Sequence, residues 1–95
     1  MKSDISYSLP VTIFREGEAF VAYTPALDIS SVGNTEEEAR RMFVEAVGTL
    51  FEELVDMGTI ESVLKDLGWT KAQGSFHPPT VVEHSFMSVQ LPSAA

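Results

Sequence analysis

The sequence contains no cysteine, so a disulfide, a thiolate metal ligand and a nucleophilic thiol are all closed to it. That composition suits a reducing, cytoplasmic setting. Histidine is nearly as scarce. His77 and His84 are the only two, and with no cysteine and no helical His pair they make no metal-ligand pattern. Basic residues are few: six Lys and Arg against fourteen Asp and Glu give a net charge of −8. The six, Lys2, Arg15, Arg40, Arg41, Lys65 and Lys71, are scattered rather than gathered into a stripe. The average field therefore repels phosphate backbones and anionic lipid, which argues against direct DNA binding and favours a basic partner. The six glycines stand apart from one another, so no glycine-rich phosphate loop is present. No apolar run nears the roughly 18 residues of a membrane span, and MKSDISYSLP lacks a signal-peptide core, so neither membrane nor export is expected.

What is present is an ordinary folding composition. Hydrophobic residues make up 44% of 95 residues. A chain of this size buries roughly 60 to 68% of its unfolded surface, enough for one modest core and hence a single domain over 1–95. Ile5, Tyr7, Leu9, Val11 and Ile13 fall on alternate positions, predicting a first strand from Ile5 to Phe14, with Pro10 marking an edge or a bulge. Arg15 to Glu18 is a polar connector containing Gly17, and Ala19 to Thr24 resumes as the second strand of a hairpin that Pro25 ends. Leu27 to Val32 reads as a weaker third strand, closed by the turn signal Gly33-Asn34.

A helix then opens with unusually clear chemistry. Thr35 and Glu38 form a capping box, the Glu reaching back to the cap, and Glu36, Glu37 and Glu38 place negative charge on the positive end of the dipole. Ala39, Met42, Phe43, Ala46, Val47, Leu50, Phe51, Leu54 and Val55 recur at helical spacing, so this stripe is predicted to face the core over residues 36–56, about 31 Å of helix, until Gly58. Glu36–Arg40 and Glu37–Arg41 are i,i+4 pairs in the favoured order. Gly48 costs about 1 kcal/mol against Ala inside the helix; it marks a close backbone crossing or is simply tolerated. Thr59 is predicted to cap a second helix through Asp66, with Ile60, Val63, Leu64 and Leu67 inward, Gly68 as its stop and Trp69 packing where the chain turns back. Residues 70–80 read as a surface loop, Val81 to Leu91 as a last strand, and 92–95 as a fraying tail. The expected class is α+β, in the order β-β-β-α-α-β.

Catalytic patterns are thin. Ser30, Ser31, Ser75, Ser85 and Ser88 are the candidate nucleophiles, and none sits in a G-x-S-x-G elbow. Two-metal hydrolysis needs several acids on adjacent strands, whereas the first strand carries none and Asp28 alone makes a poor cage. No catalytic residue, metal ligand or cofactor is assigned. The stronger lead is charge. Between Arg41 and Lys65 there is no basic residue, while Glu45, Glu52, Glu53, Asp56 and Glu61 all occur. Glu52, Glu53 and Asp56 also stand near the negative end of the helix dipole, where anions are unfavourable. A local rule broken this way marks either a functional surface or a solvated face that keeps the protein soluble.

The runs Gly17-Glu18-Ala19-Phe20-Val21-Ala22-Tyr23-Thr24-Pro25-Ala26-Leu27 and Ser31-Val32-Gly33-Asn34-Thr35-Glu36-Glu37-Glu38-Ala39 resemble the N-terminal domain of HicB-like antitoxins. In that family a strand ending in Y-x-P-x-L leads through a short strand to a G-x-T-x-E-E-A helix opening. The similarity covers about residues 7 to 67. It implies a degenerate ribonuclease H-like fold without catalytic acids, in a non-enzymatic protein that binds and masks a small basic mRNA-cleaving toxin of HicA type. Two departures are visible: Asp28-Ile29 replaces the Gly-Cys-like pair that often follows the Leu, and nothing after Leu91 supplies the DNA-binding module that many full antitoxins carry. The acidic surface expected to meet a partner, Glu45, Glu52, Glu53 and Asp56, comes from the charge distribution and not from a family motif. The alternative is a stand-alone homo-oligomeric or ligand-binding domain with no toxin partner, since exposed strand edges pair readily between chains. A vestigial hydrolase is the third reading.

Overall fold

Three short strands form before the chain commits to a helix. The computed structural model describes residues 8–93. Strand β1 spans Thr12–Glu16, β2 Ala19–Thr24 and β3 Ile29–Gly33, an antiparallel meander in the order β1-β2-β3. Helix α1 spans Glu36–Met57 and α2 Ile60–Asp66, and a separate two-stranded sheet follows from β4, Thr70–Ala72, and β5, Ser75–His77. The class is α+β. The first strand is shorter than its alternation predicts, because pairing begins only after Pro10; Ile5 and Tyr7 lie outside the described residues.

Local chemistry explains each turn. Glu16 pairs with Ala19 across a two-residue loop in which Gly17 takes φ 62 while Glu18 stays outside the left-handed region, the pattern of a type II′ turn. Between β2 and β3, Thr24 is fully buried and its Oγ1 accepts a 3.2 Å hydrogen bond from the Ala26 amide, so Ala26 and Leu27 turn inward as core residues. Asp28 follows at φ 52, which delays β3 by two residues relative to the expected start at Leu27.

The capping box is present with one change of partner. Thr35 Oγ1 accepts from the Glu38 amide at 3.0 Å, and Glu38 Oε1 accepts from the amide of Asn34, one residue before the cap, at 2.6 Å. Arg40 pairs with Glu36 at 3.5 Å as expected, but Arg41 reaches Glu38 rather than Glu37, at 3.7 Å. The helix ends in a Schellman motif: Thr59 N–H donates to the Leu54 carbonyl and Gly58 N–H to that of Val55, with Gly58 at φ 69. Thr59 does not cap α2. Its side chain makes no capping bond, and among the described residues its buried Oγ1 has no partner. A second Schellman motif closes α2, Trp69 N–H to Leu64 and Gly68 N–H to Lys65.

Two connected clusters hold these layers together. Ala22, Ala39 and Phe43 are buried between the sheet and the start of α1, and Ala26, Leu27, Leu64 and Trp69 are buried beneath its end. Ile29 and Val47 pack against both. Gly33 belongs to this contact, because a Cβ there would lie 2.5 Å from the Ala39 amide nitrogen. Gly48 does not: a Cβ there would meet nothing, so no backbone crosses it. Met42 and Val55, expected inward, stand on the margins of the stripe and are exposed.

The C-terminal third departs furthest from expectation. The surface loop predicted over 70–80 contains the β4–β5 hairpin, turned by Gln73 and Gly74 at φ 53 and 80, the two positive values of a type I′ turn. The strand predicted over 81–91 forms no ladder among the described residues: residues 78–93 carry no helix or strand.

Candidate functional site

The acids of α1 stand on its outer side. Glu45, Glu52 and Asp56 are spaced by seven and four residues, so they fall on one line of the helix about 16 Å long. All three are exposed, and so is Glu53 beside them. None has an ion-pair partner among the described residues. Arg40 and Arg41 are engaged at the first turns, and Lys71 is held by Glu61 at 3.1 Å beneath α2 while lying over the Phe76 ring. The last turn of α1 holds no basic residue. A run of uncompensated anions therefore faces solvent at the helix end whose own dipole is negative.

Toward β3 this stripe borders an open groove. Glu45 and Glu53 flank Thr49 at its rim, Ala46 and Leu50 form its apolar floor, and Met42 and Ser31 close one side. The pattern suits a partner that brings cationic groups together with aliphatic stems, since carboxylates take the charge and the floor takes the stem. The charge distribution picks out Glu45 and Glu53, which line this groove, and Glu52 and Asp56, which do not; it gives no sign of Met42, Thr49 and Ser31. The Glu45–Thr49–Glu53 spacing of four signals the rim; Ser31 joins only through the packing of β3 beside α1.

The remaining candidates do not assemble. Asp28 accepts a 3.0 Å hydrogen bond from the Tyr23 hydroxyl. That bond, then desolvation, then the charge of Asp28 hold the Tyr23 pKa above its usual 10.0. Among the described residues, no group of three or more His, Cys, Asp or Glu could hold a metal ion, and no helix is long and apolar enough to cross a membrane.

Comparison with family models, with curated proteins and with solved structures returned no match for this chain.

Proposed function

We propose that this chain is an antitoxin-like binding protein that masks a small basic partner, of the kind that cleaves mRNA, through the acidic side of α1. The observation that carries the reading is the unopposed line of Glu45, Glu52 and Asp56 with Glu53 beside it, on a molecule of net charge −8. Opposite fields speed encounter and select among partners, and exposed anions without ion-pair partners among the described residues are available for intermolecular ones. The order of sheet and long helix accords with a degenerate ribonuclease H-like arrangement, and the motifs over residues 17–39 that resemble HicB-like antitoxins point the same way. On this reading the protein is non-catalytic, needs no cofactor and works in the cytoplasm.

Co-expression with the product of an adjoining reading frame tests it. A short basic protein that arrests growth alone and is relieved by this chain would support the reading. Relief that is equally strong with Glu45, Glu52, Glu53 and Asp56 all changed to Lys, in a variant whose circular dichroism is unaltered, would overturn it.

A further inference from the structure

The C-terminal segment has the sequence of a strand and pairs with no strand among the described residues. Met87, Val89 and Leu91 alternate with Ser88 and Gln90. Yet residues 78–93 join no ladder, Phe86 is fully exposed, and Val89 and Leu91 are 74% and 82% exposed. The molecule is extended for its length: the radius of gyration is 16.4 Å and the long axis 60 Å, where a compact chain has a radius of about 12 Å. Leaving such an apolar arm in water is unfavourable, because the surface that a partner would cover stays hydrated.

Its root is fixed by the body. Pro79 lies 3.5 Å from where a Cβ on Gly68 would stand, and Val82 and His84 share a cavity with Thr12, Phe14 and Tyr23. Those three belong to the side of the sheet away from α1. Cross-strand register places Phe14 opposite Val21 and Val21 opposite Val32, a row of apolar side chains across all three strands. Phe14 and Val32 are 44% and 59% exposed. No element of the described residues covers this row.

We infer that the uncovered sheet face and the arm are two halves of one self-complementary interface, and that the occupant is a second copy of this chain. Three observations select a second copy. A two-fold dimer requires one surface to carry both complementary parts, and here arm and face meet at the arm's root. Phe14 of β1 lies at that root, so an arm from the partner can cross the row from its β1 end while Met87, Val89 and Leu91 gain cover. Charge gives the third. Two molecules of net charge −8 repel each other over most of their surfaces, but the row Phe14–Val21–Val32 is uncharged and residues 78–93 carry Glu83 as their one acid. This is where like-charged copies can approach at least electrostatic cost. The acids of α1 lie on the opposite side and remain free.

Light scattering and sedimentation of the full chain, from micromolar to millimolar concentration, test the proposal. The expected species has twice the 10.4 kDa chain mass, and its association strengthens with added salt, because screening relieves the repulsion while apolar burial persists. M87D with V89D in the arm, or V32D on the face, should each weaken association by more than about tenfold. All these sites are exposed in the isolated chain, so circular dichroism should not change. A wild-type chain that stays monomeric overturns the inference, as does a dimer that survives both arm and face variants. A monomer whose arm variants instead lose a basic partner assigns the arm to that partner and also overturns it. Reversing the α1 acids should leave the dimer intact, so the two proposals fail separately.

Discussion

The indole nitrogen of Trp69 donates a 2.8 Å buried hydrogen bond to the carbonyl of Ala26, joining residues 43 positions apart. The bond ties the end of α2 to the turn between β2 and β3, and Phe51 of α1 meets the same indole edge-on at 6.3 Å. A single side chain thus holds the sheet, the long helix and the C-terminal hairpin in one arrangement. Trp69→Phe keeps most of the apolar contact but leaves a buried carbonyl without its donor, at a cost of about 1–3 kcal/mol. Trp69→Ala adds a cavity and should cost about 3–5 kcal/mol. Urea titration followed by circular dichroism measures both, and a Trp69→Phe variant as stable as the wild type would show that the hydrogen bond contributes nothing.

Two glycines that look alike in the sequence should behave oppositely. Gly33→Ala drives a methyl into the backbone of Glu38 and Ala39, where only movement of the helix start gives relief, and should destabilise by about 1–3 kcal/mol. Gly48→Ala meets open space and should stabilise by about 1 kcal/mol through helix propensity alone. The midpoints of thermal unfolding should move in opposite directions.

The raised Tyr23 pKa gives a stability change at high pH. Folding favours the protonated phenol, so this contribution is complete below the unfolded value of 10.0 and is lost as pH rises through the higher folded value. Absorbance titration of the folded protein should resolve a tyrosine that ionises late, absent in Tyr23→Phe and moved down in Asp28→Asn. If Asp28→Ala, which removes both the acceptor and the charge, leaves the titration unchanged, Asp28 is not the cause.

How much of this was readable in advance follows from the range of the interactions. The start and stop of α1 depend on Thr35, Glu38 and Gly58, all within a few residues of the groups they satisfy, and they appear almost as the pattern predicts. The β4–β5 hairpin was missed because its strands are only three residues long and Gln73-Gly74 is a weak turn signal. The alternation over 81–91 is legible, but pairing is not a local property, and no strand among the described residues receives it. The acids of α1 stand out by charge; the groove that Glu45 and Glu53 border depends on the placement of Ser31 beside α1.

Thr59 illustrates a capping signal that tertiary structure overrides. Its backbone carbonyl accepts from Val63 N–H and Ser62 Oγ, while φ −112 and ψ 6 keep its own hydroxyl from the helix amides. Because that hydroxyl is buried and unpartnered among the described residues, Thr59→Val should be neutral or stabilising by up to about 1 kcal/mol. A loss measured by urea unfolding would mean that the hydroxyl is satisfied, for instance by an ordered water.

Glu52, Glu53 and Asp56 set stability against recognition. They occupy the negative end of α1, where no basic residue offsets them, and Glu52 and Asp56 repel each other at i,i+4. Changing all three to Lys replaces unfavourable helix-end anions with favourable cations, each exchange being worth about 0.3–1 kcal/mol, so the melting temperature should rise. If these anions serve only solubility, nothing else should follow. If they meet a basic partner, the same variant should associate more slowly, and the steep decline of the association rate with salt should flatten. Stopped-flow association at several salt concentrations, beside a melting curve, separates the cases. A variant that gains stability while its association kinetics stay as in the wild type would remove the acidic side of α1 from any role in binding.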